Sequence, residues 1–450
     1  MRIMIVGAGR VGHHLSRKLS FEGQEVVLVD RDETKLRRME RDLNILPVHG
    51  SGASTKVLEE AGIDKTDLFI AVTDSDEVNL VACIISKQYN VKTRIARVRN
   101  EDFYSQGSPL TEKALGIDLL ISPDLAMADE IIQLSMLPAA FDVAEFAGGQ
   151  VDLLGYLVHD DNPCIGLSLQ EIQQQQGKYN FIIAAIIRDE KTIIPRGKDI
   201  LAPGDKIYIV VRKADIHGVE SIFNIISRAP KNVFIIGGGT IGTTVAKRME
   251  GRKIEVRVVD KDPVKCQALT EKLEHAIILN CNGLEAQDLL EEGIDRADLV
   301  IAVTDSDTTN ILSSLLAKHH GAKKCITTIR RPDFIPLLGK LGIDVALSPR
   351  LAAADMILKF VRGGGSIVSV ATLLGTDAEV LELKVPDLER FREVPLKSLM
   401  FPSGAIIGAV VTNRLVKIPS GETILKPEDV VIIFSSKDAI HSVESFFNND

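Results

Sequence analysis

Two glycine clusters of identical spacing carry the chemistry open to this 450-residue chain: Gly7-Ala8-Gly9-Arg10-Val11-Gly12 and Gly237-Gly238-Gly239-Thr240-Ile241-Gly242. Both have the G-x-G-x-x-G form. The first glycine permits a tight turn, the second lets a pyrophosphate approach the backbone, and the third lets a helix pack on a strand. An aspartate follows each cluster after eighteen residues, Asp30 and Asp260, placed to accept hydrogen bonds from the two hydroxyls of an adenosine ribose. Its charge repels a 2′-phosphate, so the pattern favours NAD(H), ATP or ADP over NADP(H). Arg31 pulls the other way, because a neighbouring arginine can serve a 2′-phosphate.

Such residues work only if a strand delivers the chain to the turn and a helix carries it away. Arg2–Val6 is a branched apolar run suited to a strand buried on both faces of a parallel sheet. Val11, Leu15 and Leu19, spaced by four, predict a helix with one apolar face, stopped at Gly23. Glu25–Val29 then supplies a second strand ending at Asp30. In a doubly wound sheet the ligand lies at the carboxyl ends of the strands. Four pieces should meet there: the Gly7–Val11 loop, Asp30, His49-Gly50-Ser51-Gly52, and Thr73-Asp74 after the strand Leu68–Val72. Arg97, at the end of the next apolar run, offers a charged fork to a phosphate or a partner for a surface ion pair. The acids of Thr73-Asp74-Ser75-Asp76 suit a helix N-cap better than a metal or acid–base site.

The unit occurs twice. Val233–Gly242 repeats Ile3–Gly12, and Asp260 repeats Asp30, at an offset of 230; Ala71–Asn79 returns as Ala302–Asn310 at 231. A second repeat, Pro195–Asp205 and Pro419–Asp429, precedes short strand-like runs, Lys206–Val211 and Val430–Phe434. Its Pro and Gly turns predict a small α+β lobe with antiparallel strands behind each larger domain. The expected fold is therefore α/β, with two tandem Rossmann-type doubly wound parallel sheets, each followed by a smaller α+β lobe. The expected domains are 1–123, 143–227, 231–349 and 367–450. A helix Leu125–Met136 crosses over after Ser122-Pro123, Ser348-Pro349 repeats that junction, and Gly363-Gly364-Gly365 forms a flexible joint. Gln173–Gln176 is read as a solvated helix face.

The halves are not equal. Aligning Arg99 with Arg330 puts Thr328 opposite Arg97, and Asn280-Cys281-Asn282-Gly283 replaces the third-strand loop. Two sites of different affinity or ligand choice are expected.

A net charge of −9 excludes the electrostatic footprint of a nucleic-acid binder. The longest apolar runs, Phe181–Ile187 and Ala405–Val411, fall short of the roughly twenty residues of a spanning helix. A soluble chain is expected. The first strand starts at Arg2, leaving no room for a signal peptide, and the five cysteines show no C-x-x-C spacing. Neither a disulfide framework nor a zinc site follows, and a reducing cytoplasm fits. No histidine sits beside a serine or cysteine as in a nucleophile setting, and no tyrosine precedes a lysine by four. His13-His14 lies on the first helix, with one imidazole facing solvent. No catalytic residue is assigned. A duplicated sensor suits regulation better than hydride transfer, and an NAD-dependent oxidoreductase with a degenerate second half is the alternative.

IVGAGRVG with VVLVD, HGSGASTKVLEEAGIDKTDLFIAVTDSDEVN, RIARVR and the duplicated P-x-G-x-x-I-L-x-P lobe together resemble the TrkA family, over nearly the whole chain. These are cytosolic regulatory subunits of bacterial and archaeal Trk potassium uptake systems, built of RCK modules (regulators of potassium conductance). The resemblance implies NAD(H), with ATP or ADP as alternative ligands, in the clefts. The first nucleotide would be held by Gly7, Ala8, Gly9, Arg10, Val11, Asp30, Thr73, Asp74 and Arg97. The second would be held by Gly237, Gly238, Gly239, Thr240, Ile241 and Asp260, with Thr328 departing from the pattern. It further implies a homotetrameric gating ring of eight RCK units, peripheral on the inner membrane face. The partner would be a membrane-embedded potassium channel subunit of the TrkH or TrkG type. Regulation of a potassium efflux or antiport system shares this fold and differs in the partner.

Overall fold

The computed structural model describes residues 1–103, 109–175, 177, 179–189, 191–225, 228–362, 367–372, 378–413 and 415–448. The glycine joint 363–365 and the end of the polar tract at 176 lie outside them.

Six strands form the first sheet: Arg2–Val6, Glu25–Asp30, Ile45–His49, Leu68–Ala71, Thr93–Arg97 and Leu119–Ile121. They lie in the order 3-2-1-4-5-6 and all pair in parallel. This is the doubly wound order that reverses between the first and fourth strands and so opens a crevice at their carboxyl ends. Both faces are covered, and Ile3, Met4, Ile5, Val27, Leu28 and Ile70 are fully buried. That explains why these strands read as continuous apolar runs rather than alternating ones. The glycine-loop helix Arg10–Phe21 buries Val11, Leu15 and Leu19, the predicted face.

The second large sheet repeats the first. Asn232–Ile236, Glu255–Asp260, Ile277–Asn280, Leu299–Ala302, Lys324–Thr328 and Val345–Leu347 lie in the same 3-2-1-4-5-6 order. Two five-stranded sheets are antiparallel throughout and share one topology. The first spans Asp142–Arg212 and the second Ile367–Ser435. The α/β fold expected from the sequence is the fold observed.

The small lobes do not stand alone. Val151, Leu153, Tyr208 and Val210 of the first share a core with Val380, Ala409, Ile432 and Phe434 of the second. A side chain on Gly408 would meet Val210 Cγ2 at 3.0 Å, and the Ala147 amide donates to Glu382 Oε1 at 3.2 Å. On the opposite face of the first lobe, Leu154, Tyr156 and Ile209 pack against the helix Ile216–Ile222.

By contacts the chain forms two units. One holds 1–128 with 347–358, and the other holds 129–346 with 359–450. The crossover helix Pro123–Met136 thus begins with the first sheet and ends in the second unit. There Lys324 Nζ, almost wholly buried, donates to the carbonyl oxygens of Leu134 (3.3 Å) and Ala140 (2.7 Å). The last carbonyls of a helix have no intrahelical partner, and the lysine supplies one.

Candidate functional site

Gly7, Gly9 and Gly12 are glycines for three separate reasons. Gly7 has φ +113° and turns the chain out of the first strand. A Cβ on Gly12 would stand 1.8 Å from the Gly7 carbonyl oxygen, so only glycine lets helix and turn meet. Gly9 has ordinary extended backbone (φ −67°, ψ −175°), and a Cβ there would meet nothing within 4 Å. Nothing in the protein's own packing asks for glycine at position 9, and the bare backbone there leaves room for a ligand to lie against it.

Asp30 closes this turn from the next strand. Its Oδ2 accepts the Ala8 amide at 2.5 Å and its Oδ1 the Asp32 amide at 2.8 Å. A carboxylate has about four acceptor positions, so two backbone bonds leave capacity for ribose hydroxyls. The local staple is a role that spacing alone did not show. Beside it, Arg31 Nη2 donates to Ser51 Oγ at 2.8 Å.

A cleft of about 230 Å³ opens here, lined by Gly7, Gly9, Asp30, Gly50, Gly52, Thr73 and Asp74. All four pieces expected from the sequence therefore meet. Lys35 and Arg31 line it too, which the sequence did not single out for Lys35. Gly52 is needed because a Cβ would strike Val6 Cγ1 at 2.1 Å. Among the predicted residues, Ala8 and Val11 are buried beneath the loop, and Arg10 is exposed at the first position of the helix.

Arg97 stands behind Thr73-Asp74 rather than on the cleft wall. Its side chain is buried, with Nη1 3.5 Å from the Thr73 carbonyl oxygen and 3.7 Å from Asp74 Oδ1. Its Nε finds no hydrogen-bond partner. Burial holds the guanidinium below its ordinary pKa and Arg99 adds to this, while Asp74, Asp124 and Asp76 oppose it. Ser75 caps the helix Asp76–Gln88 by accepting from the Val78 amide, as the capping reading of Thr73–Asp76 expects.

The second half repeats the cradle and alters its rear wall. Gly237 has φ +116°, Gly242 approaches the Gly237 carbonyl as Gly12 approaches Gly7, and a Cβ on Gly239 would again meet nothing within 4 Å. Asp260 accepts the Gly238 amide at 2.8 Å and the Asp262 amide at 2.9 Å. Thr240 and Ile241 open the helix Thr240–Met249. Where the first half buries a guanidinium, Thr328 Oγ1 is satisfied by the Ala302 carbonyl at 3.1 Å and by Asn310 Nδ2 at 3.3 Å. Arg330 instead pairs with Asp305 at the surface.

Models of the TrkA-N domain match residues 3–123 and 233–349, and models of the TrkA-C domain match 153–224 and 380–448. The chain belongs to the TrkA family. The "Trk system potassium uptake protein TrkA homolog 2" of Methanosarcina mazei is 36% identical over 99% of this chain and 100% of its own length. The "Trk system potassium uptake protein TrkA" of Halomonas elongata is 34% identical, over 99% of this chain and 98% of its own. Among solved structures, the GsuK channel bound to NAD matches 99% of this chain and 78% of its own, with TM-score 0.61 and 19% identity. The GsuK RCK domain matches 99% of this chain and 94% of its own, with TM-score 0.61 and 20% identity. These two likenesses are of fold. TrkA membership agrees with the resemblance carried by the glycine loops and the duplicated lobe.

Proposed function

We propose that this TrkA-family chain is a nucleotide-sensing regulatory subunit of a potassium uptake system, binding NAD(H), or ATP or ADP, in its glycine-loop clefts. The observation that carries this reading is Gly9, a glycine the fold does not need, at the N-terminus of a helix where backbone amides favour a pyrophosphate. The full-length TrkA relatives and the NAD named with GsuK support it. Gly7 and Gly9 give the diphosphate room, Asp30 accepts from the ribose, and Thr73 and Asp74 border the far phosphate or second nucleoside. Arg97 supplies charge behind them.

The chain acts without catalysing a reaction on the nucleotide. A ligand gates through its different affinity for two conformations of the assembly, so binding without turnover suffices. No helix among the described residues is long and apolar enough to cross a membrane. The pore belongs to a separate membrane-embedded potassium channel subunit of the TrkH or TrkG type, on whose cytoplasmic side this chain sits as a peripheral homotetrameric ring.

Unequal halves make unequal sites. NADH and ADP titrated calorimetrically into Gly9→Glu and Gly239→Glu, each blocking one cleft, should give binding curves differing at least several-fold. Neither nucleotide should be consumed. Indistinguishable curves contradict the asymmetry, and absence of binding to the unmodified chain contradicts the nucleotide reading itself.

A further inference from the structure

The segment Thr73–Asn79 and its copy Thr304–Asn310 hold more order than a capped helix needs. Asn79 is fully buried, and all its hydrogen-bonding capacity is used. Oδ1 accepts from the Thr73 amide (2.9 Å) and hydroxyl (2.7 Å), and Nδ2 donates to the carbonyl oxygens of Thr73 (3.1 Å) and Arg97 (2.9 Å). These partners fix which end of the amide is oxygen, since an N–H must meet Oδ1 and carbonyls must meet Nδ2. Asn310 repeats the pattern on Thr304 (2.8, 2.6 and 3.0 Å) and the Thr328 carbonyl (3.0 Å). One turn earlier, Asp76 Oδ2 accepts the amides of Arg99 (2.8 Å) and Asn100 (2.9 Å), and Asp307 accepts that of Arg330 (2.9 Å).

Capping does not explain the asparagine, because Ser75 and Ser306 already cap their helices. An apolar side chain here would leave the Thr73 amide and the carbonyl oxygens of Thr73 and Arg97 without this partner, so the asparagine serves the fold as well. Its distinctive property is what it joins: the loop that borders the nucleotide cleft and the strand end that carries Arg97.

We propose that Asn79 is the positioning residue that locks Thr73 and Arg97 into one rigid piece, so that a nucleotide meeting Thr73 moves Arg97 with it, and that Asn310 does the same for Thr304 and Thr328. With Asp76, it turns the first turn of the helix into a tie. A shift of Thr73-Asp74 on binding is passed to Arg97–Asn100 and the chain leaving the sheet. The proposal rests on the nucleotide reading above.

A double-mutant cycle on the full chain tests it, in a Gly239→Glu background so that the first cleft alone binds, with ADP and NADH as probes. Asn79→Asp keeps the acceptor and removes both N–H donors. It should weaken ADP binding about tenfold or more, and in the presence of Arg97→Gln its further effect should fall below about threefold. The same factor in both backgrounds, or no effect, shows a merely structural asparagine and overturns the proposal. Failure of the Gly239→Glu parent to bind either nucleotide, if the unmodified chain also fails, overturns the nucleotide reading and the proposal with it. Should Asn79→Asp not fold, backbone hydrogen exchange on the unmodified chain decides. ADP should protect Arg99 and Asn100 together with Thr73 and Asp74, and protection that stops at Asp74 overturns the tie.

Discussion

At the scale of single residues, the chain separates glycines that the fold demands, such as Gly12, from glycines that its packing does not, Gly9 and Gly239. Gly12 reads as glycine because a backbone oxygen fills the place of its side chain, and Gly9 because nothing does. That contrast was half legible in the sequence, which marks both positions and not the reason for each. Arg97 was legible as a charge near the cleft and not as a buried one, since a strand run gives no sign that its last residue turns inward. Asp152 was not legible at all. It stands on a strand of the first lobe, 2% exposed, with Oδ1 lacking a partner. Burial pushes its carboxyl up to about 6; Lys213 opposes this and Glu145 adds to it. Between its ordinary value of 3.8 and about 6, the folded protein keeps a proton that the unfolded chain has released. Stability therefore falls as pH rises through that window, by roughly 3 kcal/mol at about 1.4 kcal/mol per unit. Asp152→Asn should leave stability at pH 4 nearly unchanged and raise it by about 1–3 kcal/mol at pH 7. Denaturant titration at both pH values checks this, and equal stabilities at pH 7 would contradict it.

Elements were legible where one strand or helix decides its own environment. The unbroken apolar runs announced strands buried on both faces, and the four-residue spacing of Val11, Leu15 and Leu19 announced the helix face. Which surface meets which was not legible. Val151 and Leu153 face the other small lobe while Leu154 and Tyr156 face the lobe's own helix, and the sequence shows only that both faces are apolar. The seat of the crossover helix was equally hidden, because it depends on Lys324, whose counterpart in the first half is Thr93. Burial lowers the Lys324 ammonium to about 8, against the opposing pull of Asp344. Asp344 itself is shared with Lys318 and the Cys325 amide, and the neighbouring Lys323 pairs with Asp298. Between about 8 and 10.5 the unfolded chain binds the proton that the folded chain has lost, so this group makes stability rise with pH across that window. Relative to Lys324→Met, the unmodified protein should gain roughly 3 kcal/mol from pH 7.5 to 10.5 by chemical denaturation. Parallel pH curves for the two proteins would show that the lysine does not titrate there.

At the scale of the whole molecule, the duplication was the most legible feature, since a repeat of two hundred and thirty residues fixes architecture before any local detail does. What duplication allows is divergence: the first cleft buries a guanidinium behind Thr73, and the second closes the same place with a satisfied threonine. The two halves can then respond unequally to nucleotide, and the difference reaches a membrane partner only as a difference in binding free energy between two states. The central question is whether the first cleft controls potassium movement. The direct measurement is nucleotide-dependent potassium flux through the membrane partner, reconstituted with the unmodified chain, with Gly9→Glu or with Asp30→Ala. Both substitutions should abolish or blunt the response to NADH and ADP while the chain still assembles on its partner. An unchanged nucleotide response in both would contradict that control.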